Sequence, residues 1–272
     1  MWKRFAVAVA LVMVSATVLL AHDLFLKLET YFVPPDAVVR VAVLNGTFAK
    51  SEAAVAPARL RDLSLVGPAG RRLLPRDAWK PTGDTTWLTV PTGAAGTYVI
   101  GASLTPRELS LSADDFNSYL KEDGIPDVLE ARTRRGELNR AVRERYQKHV
   151  KAILQVGERR TDAFAMPLGY PAELVPVTNP YTLHVGDTLA FRCLVDGKPL
   201  VQHLVIAGGE DHGQPIQEVG ARSDAEGIVR VRLSSPGRWY VKFIHMAAVS
   251  GDSVDYESKW ATLTFEVSSP RP

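Results

Sequence analysis

The sequence predicts a mainly β protein: two Greek-key β-sandwiches with a short helical insertion between them. Three observations predict it. Short alternating segments are cut by Gly, Pro, Asn and Asp at intervals of roughly ten residues, the punctuation of a sandwich. A strongly charged stretch follows, in which apolar residues recur every three or four positions. Alternation then returns and runs to Val267. The expected divisions are a leader at 1–21, an N-terminal sandwich at 22–108, a helical insertion at 109–160, a C-terminal sandwich at 161–268 and a tail at 269–272.

The leader comes first. Lys3 and Arg4 precede the apolar run "FAVAVALVMV", and small residues follow, Ser15, Ala16 and Ala21 among them. This is the pattern of a cleaved signal peptide, and the run is shorter than the about 20 apolar residues of a membrane span. Cleavage is expected after Ala21, with Ala16 as the competing site, and no lipobox is present. The expected location is the periplasm, with no stable membrane insertion once the leader is gone. Removing 1–21 takes Lys3 and Arg4 and no acid from the 32 basic and 30 acidic residues, so the signs balance at 30 each. No basic stripe interleaved with aromatics is seen, which argues against nucleic acid. Cys193 is the single cysteine, so an intramolecular disulfide and a thiolate metal cluster are excluded; in "LAFRCLVDG" it reads as a small buried residue.

From His22 onward "LFLKLETYFV" alternates, "VVRVAVLNG" is a strand ending in a turn pair, and Pro68 and Gly70 stop "LRDLSLVGPAG". The segment "TTWLTVPTGAAGTYVIGAS" reads as two strands around a Gly-rich turn. Ser112 then caps a helix with acids in its first turn and Phe116, Tyr119 and Leu120 on one face, and Gly124 stops it. Pro126 and Gly136 bracket a second helix. "NRAVRERYQKHVKAILQVG" predicts a third, with Val142, Tyr146, Val150 and Ile153 as its apolar face and its charges solvated. Beyond it, Gly197 and Pro199, then Asp224, Glu226 and Gly227, then Pro236 and Gly237, mark turns between strands. "IVRVRL" alternates strictly, and "ATLTFEV" is the last strand. Trp79, Trp87, Trp239 and Trp260 fall in or beside these strands and read as packing residues rather than a sugar platform.

The ordered turn-and-strand series of the C-terminal part resembles transthyretin-like or carboxypeptidase-regulatory sandwiches. The stretches "AHDLFL", "FNSYLKEDGIPDVLEAR", "VRERYQKHVKAIL", "LVPVTNPYTLHVGDTLAFRCLVDGKPL" and "GDSVDYESKWATLTFEV" resemble those of the exported proteins grouped as domain of unknown function 4198. Many of that group carry the label of a periplasmic component of cobalt or nickel transport. The resemblance covers essentially the whole chain after the leader. It implies a hypothesis of metal handling, with a membrane metal transporter as a partner.

The chain holds six histidines, and nickel, cobalt or copper would want several of them with carboxylates. Cleavage after Ala21 would place an α-amine and an imidazole on His22, a chelating pair beside Asp23; the plainer reading is a polar cap on the first strand. In "RWYVKFIHM", period two sets His245 on the face of Trp239, Val241 and Phe243, either as a core histidine or as a ligand near Asp252, Asp255 and Glu257. His203 lies in "LVQHLVIAG", and His212 follows Glu210 and Asp211 in a loop that either binds a cation or is a solvated turn. The candidate metal ligands are therefore His22, Asp23, His245, Asp252, Asp255, His203 and His212. His149 reads as a helix-surface residue and His184 as an exposed strand residue.

No G-x-S-x-G elbow, H-E-x-x-H, Walker loop or dinucleotide fingerprint occurs, so a non-catalytic role is expected. The leading expectation is a periplasmic transition-metal binding or transport-accessory protein taking Ni²⁺ or Co²⁺, with Cu²⁺ or Zn²⁺ as other candidates. The alternative is an envelope interaction module for protein or carbohydrate in which the histidines are structural. A copper monooxygenase-like enzyme is a third reading, weakened by the lack of a further nitrogen ligand near His22.

Overall fold

The computed structural model describes residues 22–268; the expected leader at 1–21 and tail at 269–272 lie outside the described residues. Three sheets make up the fold. The first is antiparallel, in the order Asp23–Leu28, Val38–Gly46, Thr85–Pro91, Trp79–Thr82. The second and largest runs Gln214–Arg222, Leu204–Asp211, Gly237–Ala248, Tyr256–Val267, Val142–Val156, Gly96–Leu104, Leu60–Gly67, Gly70–Leu73. Phe32–Val33 and Arg107–Leu111 also pair with its central strand. The third comprises Ala172–Pro176, Thr188–Val195 and Lys198–Pro199, with Ile228–Arg232 paired to Thr188–Val195. The fold is mainly β and sandwich-like, as the alternation predicts.

The third helix of the sequence reading is overturned. Val142–Val156 is a 15-residue strand at the centre of the largest sheet. It pairs parallel with Tyr256–Val267 and antiparallel with Gly96–Leu104, so it joins strands from both halves of the chain. From Lys148 to Val156 it is buried on both faces, which is why its apolar residues there do not alternate, whereas Arg143 is exposed. Even-numbered residues face the first sheet and the helices: Glu144 accepts from Tyr119, and Lys148 donates to the His22 carbonyl. In its C-terminal half the odd-numbered side of the strand meets the third sheet, where Lys151 lies 2.9 Å from Glu173; nearer its start Arg143 and Arg145 bind surface acids. Of the polar residues that imitate a solvated helix face, Arg143 and Arg145 keep surface ion pairs, while Glu144, Lys148 and Lys151 are buried with hydrogen-bond partners. His149 is likewise 1% exposed rather than on a surface. Its Nδ1 lies 2.9 Å from Ser103 Oγ, and burial pushes its pKa down to about 3.

The other two helices form as expected. In α1 (Ala113–Glu122) the Ser112 hydroxyl accepts from Asp115 N–H at 3.1 Å, and Phe116, Tyr119 and Leu120 are buried. Gly136 closes α2 (Pro126–Arg135) at φ 67°, a left-handed conformation that glycine adopts without a Cβ clash. Together with Val142, Ile244, Met246, Tyr256 and Trp260, the buried face of α1 forms its own apolar cluster, so the helices cover one face of the central sheet. Leu24, Leu26, Val41, Val43, Ile100, Val150, Phe191, Leu263 and Phe265 belong to the main core, which takes residues from all three sheets. Trp79, Trp239 and Trp260 are at most 2% exposed and pack as expected, while Trp87 stacks under Arg40 at 3.6 Å. Cys193 is free and buried.

The first strand is fastened to the central sheet through its backbone. Thr262 and Thr264 hydroxyls donate to Leu24 O and Leu26 O. This seats His22 and Asp23 where the first strand, the start of α1's C-terminal turn and the central sheet converge.

Candidate functional site

Asp23 is buried, and one carboxylate oxygen accepts from Lys242 on Gly237–Ala248. Its other oxygen, Oδ1, is buried without a partner. Beside them a cleft of about 230 Å³ is lined by His22, Asp23, Glu122, Asp123, Glu218 and Lys242, among others. Four carboxylates face one lysine there, so the cleft favours a cation. His22 is half-buried, and its Nε2 lies 2.9 Å from Glu52 Oε2. Glu52 accepts from an Nε2–H in either charge state; in the neutral ring that leaves Nδ1 with its lone pair, the arrangement in which a carboxylate orients a ligating imidazole.

Behind His22 stands a buried ionisable cluster. Lys148 donates to His22 O and, at 3.1 Å, to Asn45 Oδ1, and its ammonium lies 5.2 Å from the Trp260 ring centroid. Glu144, fully buried, accepts from Tyr119 and Ser258 on one oxygen. Burial disfavours each charged form. It raises Asp123 to about 7, with Asp23 adding to the effect, raises Glu144 to about 7, and lowers Lys148 to about 8. Of these three groups, Asp123 lines the first cleft, while Lys148 and Glu144 lie in the buried cluster behind His22; a perturbed carboxyl in a cleft wall marks a functional-site candidate. A second cleft, of about 240 Å³, opens on the far side of His22.

The remaining predicted ligands do not join His22. On Gly237–Ala248, Lys242 and Ile244 face the first sheet and the helices, whereas Val241 and Phe243 face the main core. His245 therefore lies on the opposite face of the sheet from the His22 cleft, and the expected pairing of the two is not formed. Its neighbour is His203, with ring centroids 5.9 Å apart. His203 Nε2 lies 3.0 Å from Ile244 O, and burial lowers the pKa of both histidines. Asp252 is bound by Arg145, which holds its carboxyl below the usual range, and Asp255 by Arg140 and the Arg143 N–H. His212 is exposed in a tight turn at φ 47°, next to Asp211. His184 is exposed as expected but lies in a loop before Thr188–Val195. Among the described residues no three His, Cys, Asp or Glu side chains stand as a group able to hold a metal ion.

The model of the family described as "Domain of unknown function (DUF4198)" matches residues 19–247. The chain belongs to the DUF4198 family. No curated protein matches it. Solved structures similar to this DUF4198 chain include the D0-D1 domain of intimin, at 12% identity over 88% of this chain and 96% of that one, TM-score 0.21. Dimeric latent PorU from Porphyromonas gingivalis aligns at 11% identity over 90% of this chain and 20% of that one, TM-score 0.22. The native conformation of E. coli alpha-2-macroglobulin aligns at 13% identity, over 90% and 14%, TM-score 0.24. The chain thus spans a small part of the latter two. At these TM-scores the likenesses carry no argument.

Sequence reasoning missed Glu52, Asp123, Glu144, Lys148 and Lys242. Glu144 and Lys148, four apart, read as a helical pair, yet the same spacing puts both on one face of a strand. Nothing in the sequence ties Glu52 to His22 or Lys242 to Asp23, because tertiary pairing alone makes those contacts.

Proposed function

We propose that this DUF4198 protein is a non-catalytic, exported binding protein whose cargo is a divalent late transition-metal ion, nickel or cobalt, taken at the His22 cleft. The observation that carries this reading is the His22–Glu52 contact, which holds the imidazole beside a carboxylate-lined cavity. Imidazole with carboxylate suits such ions better than it suits calcium or magnesium. His22 would supply the nitrogen donor, and Asp123 and Glu122 are the nearby acids without a basic partner in the cleft wall. The described side chains do not form a closed ligand set. Cleavage after Ala21 would add the α-amine of His22, and water would complete an open site suited to a cargo that must be released. No nucleophile–base pair is called upon.

The test is calorimetric titration, with Ni²⁺ and Co²⁺, of protein processed to begin at His22. One site of micromolar affinity or tighter is expected, weakened at least tenfold by His22→Ala. Binding no tighter than millimolar for both ions removes the reading.

The missing third side-chain ligand favours a second reading, an envelope interaction module with structural histidines. A partner retained by the His22→Ala protein in the presence of a chelator would favour it.

A further inference from the structure

The second cleft beside His22 has the opposite chemistry. We propose that it is a seat for a small oxyanion: a carboxylate or phosphate group carried by a small molecule. Arg59, Arg107 and Lys148 line it together with Asn45 and Tyr146, and no Asp or Glu is among its lining residues. Arg59 donates one terminal nitrogen to Thr105 O at 2.8 Å, but its Nε is buried with no partner. It is the one positively charged group among the described residues with a side-chain donor left in that state. Arg107 makes no side-chain hydrogen bond or ion pair among the described residues, and it stands across the strand pair from Tyr146. Lys148 spends two of its three donors on His22 O and Asn45, which leaves one.

Neighbouring arginines are arranged differently. Arg143 and Arg145, on the same central strand as Tyr146 and Lys148, are neutralised by Glu108, Asp252 and Glu257. Arg59 and Arg107 keep their charge facing a cavity. Unpaired buried donors are costly and rare, and a guanidinium fork matches the paired oxygens of a carboxylate or phosphate. The cavity floor supplies the rest: Leu104, Leu109 and Val55 offer apolar contact for a short carbon skeleton. A small anion in the cleft would take the terminal nitrogen of Arg59 that Thr105 O leaves free, together with Arg107 and the third Lys148 donor, and neutralise the group. This inference does not depend on the metal reading, because none of its contacts requires an ion at His22.

The experiment is calorimetric titration of the full chain, stripped of metal on a chelating resin, with citrate and with inorganic phosphate at low salt. At least one of the two anions is expected to bind at a single site with submillimolar affinity and to weaken as sodium chloride is added. Arg59→Gln and Arg107→Gln should each weaken it tenfold or more, and Arg143→Gln, outside the cleft, should leave it unchanged. Arg59 also holds Thr105, so if Arg59→Gln fails to fold, the exposed Arg107→Gln decides. Millimolar or weaker binding of both anions overturns the proposal. So does binding that Arg107→Gln leaves intact, or that Arg143→Gln reduces as much. Loss of nickel binding with anion binding retained would remove the metal reading alone.

Discussion

Replacing Lys151 with methionine discriminates a buried strand from a solvated helix at the centre of the molecule. Lys151 and Glu173 lie 2.9 Å apart, with side chains 3% and 2% exposed. Burial lowers the lysine pKa, while Glu173 counters that effect. Glu173 also accepts from Leu168 N–H at 2.5 Å and Gly169 N–H at 3.1 Å. Removing one partner of a buried pair costs about 3–5 kcal/mol, since the other charge is stranded. The two backbone donors remain in Lys151→Met, so the lower end, about 3 kcal/mol, is expected. With an m-value of about 3 kcal/mol per molar, the urea midpoint should fall by about 1 M. Tryptophan fluorescence reports the transition, because Trp239 and Trp260 are buried in the same sheet. Adding Glu173→Leu should fail to restore full stability, because it orphans two N–H groups at about 1–3 kcal/mol each. A loss below about 0.5 kcal/mol for Lys151→Met, typical of a surface position, would refute the central-strand reasoning.

Stability should depend on pH in a defined direction. Glu144 and Asp123 bind their protons more tightly folded than unfolded, so their contribution falls as pH rises from the ordinary carboxyl range to about 7. Lys148, held down at about 8, binds its proton less tightly folded, so its contribution grows from about pH 8 toward the ordinary lysine range. These groups together predict a dip near pH 7–8, and Glu144→Gln should flatten the acid-side slope in urea melts recorded across pH. Gly209→Ala should destabilise by about 1–3 kcal/mol, because an added Cβ would sit 2.1 Å from Arg238 O at the register shift in Leu204–Asp211; thermal melting checks it. Asp252→Asn and Asp255→Asn should leave nickel affinity unchanged in calorimetry, since both acids are held by arginines and neither lines the His22 cleft.

The sandwich character, the capped helices and the turn glycines were legible because each rests on local rules: alternation, Ser112 as a cap, Gly136 past a helix end. The strand Val142–Val156 was not, because burial on both faces removes the period-two signal, and Glu144, Lys148 and Lys151 imitate a solvated helix face. His22 and Asp23 were legible as chemistry at the start of the folded chain. Their partners were not: Glu52, Lys148 and Lys242 come from three distant segments brought together only by sheet packing. His245 was placed on the correct strand face by alternation, but which side of the sheet that face meets is a property of the whole fold.

The central claim is that a metal cargo sits at His22 and not at the His203–His245 pair. ¹H–¹⁵N NMR of protein beginning at His22, titrated with paramagnetic Co²⁺, locates the ion directly. The account predicts that amide signals of Asp23, Thr47 and Asp123 broaden at the first additions while those of Leu204 and Ile244 persist. Early broadening around Leu204 and Ile244, or none near His22, would contradict it.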